Sequence, residues 1–258
     1  MFETLLLDRD ARGVATVTLN RPEKRNALSG EMIAELKGVA AELAKDAGVR
    51  VVVLEGAGAM FCAGGDLNWM KAQIGADSTT RAREAGKLAA MLGAWNSLPK
   101  PVIGRIHGGA FGGGVGLASV CDVAVAAPDT RFGLTETKLG LIPATIGPYV
   151  IARMGEGPAR RVFMSSRLFG AEEAQSLGLI AKIDADLDAA VAAEVEPYLA
   201  CAPGAVAEAK ALALALGGAP EAADVEASIN ALVTRWENAE AEEGVSAFFE
   251  KRAPDWAV

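Results

Sequence analysis

Apolar positions along this chain fall into two alternating periods. Residues 4–7 and 13–20 read as strands; in the second, Val14, Thr16 and Thr18 alternate with Ala15, Val17 and Leu19, and Gly13 marks the turn between the two. From Ser29 the period lengthens to that of an amphipathic helix reaching about Lys45. Ser29 is its predicted N-cap, with Met32 standing where a full capping box has Glu or Gln. Residues 50–54 are a β-branched run, the pattern of a strand buried on both faces of a parallel sheet. The rhythm then repeats. Residues 79–96 predict a helix stopped by Pro99 and Pro101, residues 101–106 a strand, 112–120 a short helix, and 122–126 another strand. Beyond about Gly155 the strand signals fade, and residues 189–215 and 221–250 read as Ala- and Glu-rich helices suited to packing against neighbours.

Composition narrows the function. The 258 residues are 51% hydrophobic, enough for a sizeable core, and carry a formal net charge of -8. With no dense Lys/Arg run, that charge argues against a nucleic-acid partner. No basic leader opens the chain and no apolar run approaches the ~20 residues that span a bilayer, so no membrane association and a cytoplasmic location are expected. Cys62, Cys121 and Cys201 are far apart and show no Cys-x-x-Cys pairing, so they read as reduced thiols rather than disulfides or metal ligands. A single histidine, His107, rules out a two-histidine zinc motif, and no Gly-x-Ser-x-Gly elbow accompanies it. It reads as a structural hydrogen-bonding residue. Neither Gly-x-Gly-x-x-Gly nor Gly-Lys-Ser/Thr occurs, which counts against a dinucleotide fold and a P-loop.

The abundant glycine therefore serves another purpose. Cys62-Ala63-Gly64-Gly65-Asp66-Leu67 follows a predicted buried strand, and its small residues let a ligand approach the backbone and meet free N–H groups, with Asp66 alternatively a plain helix cap. The run His107-Gly108-Gly109-Ala110-Phe111-Gly112-Gly113-Gly114-Val115-Gly116 joins a strand to a helix, whose N-terminus can aim donors at a developing anion. Two such loops from adjacent strands suggest a cradle for an oxyanion.

These loops stand in a wider pattern. Arg21-Pro22 with Asn26-Ala27-Leu28, Phe61 to Leu67, Gly112-Gly113-Gly114, Cys121-Asp122, Phe132-Gly133, Glu136, Leu139-Gly140-Leu141-Ile142-Pro143 and the tail Ala247-Phe248-Phe249-Glu250-Lys251-Arg252 resemble the crotonase (enoyl-CoA hydratase/isomerase) superfamily in order along the chain. Residues 133–155 and the segment Asp66-Leu67-Asn68-Trp69-Met70 are most similar to bacterial methylglutaconyl-CoA hydratase-like members. The resemblance implies an α/β fold, the ClpP/crotonase-like spiral of ββα units, over residues 1–195. It assigns the helical region 196–258 to trimer formation, with trimers pairing into hexamers. The implied substrate is an acyl-CoA thioester, with coenzyme A part of the substrate and no metal or redox cofactor. The backbone N–H groups of Gly65 and Gly113 are the implied oxyanion-hole donors. Backbone near Lys24, Arg25 and Ala27, with Ala63, Gly64, Asp66 and Leu67, is implied to hold the CoA moiety, and Phe248 and Lys251 match positions that touch CoA across a subunit boundary.

Hydration of a conjugated thioester needs water at C3 and a proton at C2. Hydratases of the family use two glutamates. Glu136 matches the second, whereas the position of the first, one helical turn beyond Gly113, is Gly116. Three readings stay open: a hydratase in which Glu136 alone positions water and supplies the proton, its pKa raised by an apolar pocket; an isomerase moving a proton between C4 and C2 with one base; or a binding protein, either a crotonase fold that has lost catalysis or one that binds RNA. Asp122 is expected to support the fold. Trp69 and Met70 line the acyl pocket or pack in the core, and Tyr149 is a candidate acyl contact. Arg131, Lys138 and Arg153 are candidate partners for a distal carboxylate on the acyl chain.

Overall fold

The computed structural model describes residues 2–257. An antiparallel pair opens the chain, β1 (Leu5–Arg9) and β2 (Val14–Leu19). After a 3-10 turn at Pro22–Lys24 come α1 (Gly30–Lys45), β3 (Val51–Gly56), α2 (Leu67–Ile74), α3 (Ser78–Asn96), β4 (Val102–Ile106) and β5 (Gly109–Phe111). Next are α4 (Gly113–Val120), β6 (Val123–Ala126), β7 (Arg131–Gly133), a 3-10 turn at Glu136–Leu139, α5 (Gly147–Met154) and α6 (Glu156–Phe163). Then follow β8 (Leu168–Gly170), α7 (Ala171–Ser176), β9 (Lys182–Ile183), and the helices α8 (Leu187–Leu199), α9 (Pro203–Leu216), α10 (Ala222–Trp236) and α11 (Ala239–Glu250).

The large sheet runs β1-β2-β3-β4-β6-β9 and is parallel everywhere except at β1. A smaller sheet, β5-β7-β8, sits beside it. Each turn of the chain lays a strand in the large sheet, then an extended step in the second layer, then a helix. In the turn containing β3 that second step is only the bridge from Cys62 to Ala110; in the next two it is β5 and β7. This is the α/β spiral of ββα units expected for the crotonase fold.

Alternation along the strands decides which helix covers which face. Val52 and Leu54 face the main core with α1, α3 and α4, while Val51 and Val53 face α8. Being covered on both sides is why residues 51–54 are continuously apolar rather than alternating. Trp95 on α3 is fully buried, and its indole N–H donates to the Leu36 carbonyl at 3.0 Å, joining α3 to α1. Ser29 caps α1 as expected, accepting from the Met32 amide.

The two long tail helices read from the sequence are each divided in the structure. Residues 200–202 separate α8 from α9, which Pro203 opens; Asn238 starts α11 by accepting from the Glu240 amide. Residue 195 lies within α8. The short strands β8 and β9 lie in the stretch where strand signals fade. The tail then folds back. Trp236 of α10 and Ala241 and Val245 of α11 form a separate apolar cluster with Leu141, joined by Leu139 and Met70. That return brings the end of the chain over the segment that carries Glu136.

Candidate active site

The loop after β3 is held from beneath. Arg25 and Asn26 both take left-handed backbone, at φ 53° and 54°. The buried Asn26 side chain donates to the Ala57 and Met60 carbonyls at 2.8 and 2.9 Å. The Ala63 amide donates to the Arg25 carbonyl, the Leu28 amide to Gly64, and the Asp66 amide back to Leu28. This pairing leaves the Gly65 N–H with no acceptor among the described residues.

Asp66 is committed elsewhere. Its carboxylate caps α2 through the Asn68 and Trp69 amides and pairs with Arg21 at 3.0 Å. Burial raises its pKa, but the Arg21 guanidinium and the two amides outweigh that and hold the carboxyl below its usual value. Its side chain thus builds the loop rather than reaching a ligand.

The second loop arrives from β5. The Gly112 amide donates to the Gly133 carbonyl at 2.9 Å, fixing the glycine run against the end of β7. Gly113 is the first residue of α4, and its N–H also has no acceptor among the described residues. Its nitrogen lies 3.8 Å from the point where a Gly64 Cβ would stand, so the two loops meet backbone to backbone. Gly112 needs its freedom: φ is +46°, and a Cβ there would lie 2.9 Å from Glu136 Oε1.

Glu136 begins the 3-10 turn that follows β7. The turn is tied down by the Lys138 amide donating to Ser166 Oγ at 3.0 Å and by Arg235 Nε donating to the Gly140 carbonyl. The residue is partly exposed as a whole, yet its Oε2 is shut off from solvent with no hydrogen-bond partner among the described residues. Burial pushes its pKa from 4.5 up to about 7, its own backbone amide offsetting part of the effect.

Gly65, Gly113 and Glu136 line one cavity of about 400 Å³, together with Ala63, Gly64, Leu67 and Phe248. The rest of the wall is mostly apolar and includes Leu28, Met70, Ile142, Ile146, Leu232 and Trp236. Sequence reading missed Leu232 and Trp236, because nothing in α10 marks the surface it folds back onto. Trp69 joins the lining, and so does Thr145, which it also missed.

Several expected residues lie outside the lining. Lys24 and Arg25 are exposed and Ala27 is buried; Arg25 is one hydrogen bond from the wall, through Ala63. Lys251 is an exposed residue capping α11, three positions beyond Phe248. Phe248 itself reaches the cavity of its own chain, where the resemblance had implied a contact across subunits.

Tyr149 faces away from Glu136. Its hydroxyl donates to the Ala89 carbonyl on α3 at 3.2 Å, and its ring borders a separate cavity with Asp122 and Arg153. Gly116 is buried, and a Cβ there would lie 2.7 Å from Ile146 Cγ2, so the place of a second carboxylate is filled by isoleucine.

Of the three candidate cations, only Lys138 borders the cavity. Arg153 donates to the Ser119 and Cys121 carbonyls, and Arg131 is exposed on β7. His107 Nε2 pairs with the Gly58 carbonyl at 2.8 Å, and Asp122 accepts from the Val102 amide and Lys210. Both are structural residues.

Comparison with known proteins identifies the family. Residues 9–258 match the family model described as enoyl-CoA hydratase/isomerase. A 2,3-dehydroadipyl-CoA hydratase from Escherichia coli K12 is 33% identical, with 98% of each chain covered. Among solved structures, an enoyl-CoA hydratase from Mycobacterium avium superposes with a TM-score of 0.89 at 33% identity, covering 100% of both chains. Pseudomonas aeruginosa AtuE gives 0.81 at 39% identity, covering 99% of this chain and 100% of its own. The chain belongs to the enoyl-CoA hydratase/isomerase family of the crotonase superfamily.

Proposed function

We propose that this protein adds water across the double bond of 2-enoyl-CoA thioesters, using Glu136 as its single acid–base group. The observation that carries the reading is a carboxyl with one oxygen buried and unpartnered among the described residues, its pKa raised to about 7, in the same cavity as two unpaired amide N–H groups. The amides of Gly65 and Gly113 receive the thioester oxygen, each worth about 2.7 to 4 kcal/mol as charge develops there. Ionised Glu136 takes a proton from water as the water oxygen bonds to C3, and the π electrons move to the thioester oxygen. The enolate then takes that proton at C2, so H and OH have added and the carboxylate is regenerated. A pKa close to neutral suits a group that must accept and return one proton.

A branched acyl chain with a distal carboxylate, as in methylglutaconyl-CoA, is the substrate we favour. Lys138 offers the one cationic side chain among the described residues lining a mostly apolar cavity, and the name of the E. coli relative specifies an acyl chain that also ends in a carboxylate. Self-association is proposed through α9, an apolar helix with no buried residue of its own, on which Leu212 and Leu216 are 59% and 80% exposed. A trimer or a hexamer would cover it.

An isomerase with one base is the second reading, favoured by the occupied space beside Gly116. Single-turnover assays with 2-enoyl, 3-enoyl and methylglutaconyl thioesters separate the two. The wild type should consume the conjugated thioester faster than it converts the 3-enoyl isomer, and Glu136→Gln should lose about 1,000-fold or more while still binding thioester. Lys138→Ala should raise KM for the carboxylate-bearing substrate alone. Wild-type rates in Glu136→Gln would refute the assignment.

A further inference from the structure

One carboxyl that serves water and enolate in turn leaves the water tethered at a single point. Three residues of the cavity lining each carry a buried side-chain polar atom with no partner among the described residues: Glu136 Oε2, Trp69 Nε1 and Thr145 Oγ1. The indole N–H can only donate, and its ring lies over the oxyanion loop, with Cε3 3.9 Å from the ideal Cβ position of Gly65. A hydroxyl can also accept, so it can hold a water molecule by its second proton.

Thr145 is 4% exposed and is the only residue between Ala144 and Ile146, whose side chain fills the space beside Gly116. It lines the same cavity as Glu136, one residue from the isoleucine that occupies the space beside Gly116. A buried hydroxyl with no partner costs about 1 to 3 kcal/mol, a cost that valine, with the same branched shape, would not carry.

We propose that Thr145 holds the nucleophilic water against Glu136, supplying the orienting half of the missing carboxylate's task; the inference rests on the hydratase reading. The water donates one proton to Thr145 Oγ1 and the other to Glu136. As its oxygen bonds to C3, only the O–H bond facing Glu136 breaks, and that proton later reaches C2. Thr145 keeps its own proton throughout. Proton removal at C2 of a saturated acyl thioester uses Glu136 and the oxyanion hole but no nucleophilic water, so it should be indifferent to Thr145.

The test compares wild type, Thr145→Val, Thr145→Ala and Thr145→Ser, each checked by thermal melt, in two assays. One is hydration of crotonyl-CoA; the other is exchange of the C2 protons of butyryl-CoA in heavy water, followed by NMR. Thr145→Val should lower kcat for hydration by about 100-fold while exchange stays within about threefold, and Thr145→Ser should restore hydration. Thr145→Ala supplies the same deletion should valine disturb folding. Hydration within about threefold of wild type in both deletions overturns the proposal, as does an equal loss in both assays, which would mark a packing role. A wild-type protein that exchanges C2 protons but never hydrates overturns the hydratase reading and this inference together, a result distinguishable from either of the others.

Discussion

Glu136→Gln should make the protein more stable at neutral and alkaline pH, and the size of the gain should depend on pH in a way that only a buried carboxyl produces. Folding moves this group from 4.5 to about 7. At about 1.36 kcal/mol per pH unit, that gap corresponds to ~3 kcal/mol. The sign follows from proton counting. Between about 4.5 and 7 the folded state holds a proton that the unfolded chain has released, so stability falls as pH rises through this window and is level above it. Glutamine has no proton to lose. The difference in melting temperature between variant and wild type should therefore grow by roughly 5 °C from pH 4.5 to pH 8.5, while every other titration cancels in the comparison. The same carboxyl should appear in kcat/KM, falling tenfold for each pH unit below about 7 because the step begins from the ionised form. A melting difference that is flat in pH, or a kinetic pKa near the ordinary 4.5, would refute the burial argument.

Three other substitutions test the scaffold. Gly112→Ala forces a side chain into backbone at φ +46° and against Glu136 Oε1, and should cost about 1 to 3 kcal/mol in urea unfolding and on the order of 100-fold in kcat. Asp66→Ala removes the cap of α2 and leaves Arg21 without its partner; a loss of about 3 kcal/mol by denaturant titration is expected, and below about pH 4 the deficit should shrink as the wild-type carboxyl is protonated. Gly116→Glu should not improve hydration, because its Cβ meets Ile146 Cγ2 at 2.7 Å; melting should drop by the equivalent of about 1 to 3 kcal/mol, and a faster, equally stable variant would contradict the packing described.

The elements that the sequence shows are those whose cause is local. Ser29 caps α1 with its own side chain, and the run at 51–54 is apolar because the sheet is covered twice. By contrast β5 is Gly109-Ala110-Phe111, with little intrinsic strand preference. It is extended because Arg131 donates to the Gly108 carbonyl and Phe111 to that of Cys62, both contacts with distant segments. The same divide runs through the site. Gly65 and Gly113 are legible because they sit in glycine-rich loops that follow predicted strands, and Glu136 because of its neighbours in a familiar pattern. Tyr149 is misleading: it lies close to Glu136 along the chain but turns its hydroxyl to α3. Thr145 had a faint signal, one hydroxyl in the apolar run Leu141-Ile142-Pro143-Ala144-Thr145-Ile146, but only the cavity shows that it lacks a partner.

The folded-back tail sets a schedule. Gly140 and Gly244 have no side chain at the two points where the tail meets the Glu136 turn: a Cβ on Gly140 would lie 2.0 Å from the Glu240 carbonyl oxygen, and one on Gly244 would lie 2.4 Å from the Leu139 carbonyl carbon. Leu232, Trp236 and Phe248 complete the cavity from the same two helices. A chain emerging from the ribosome therefore has both oxyanion loops long before it has the wall that encloses Glu136. The last part of the wall comes from α10 and α11, so the cavity is completed by the final helices to be synthesised, after every residue that performs its chemistry.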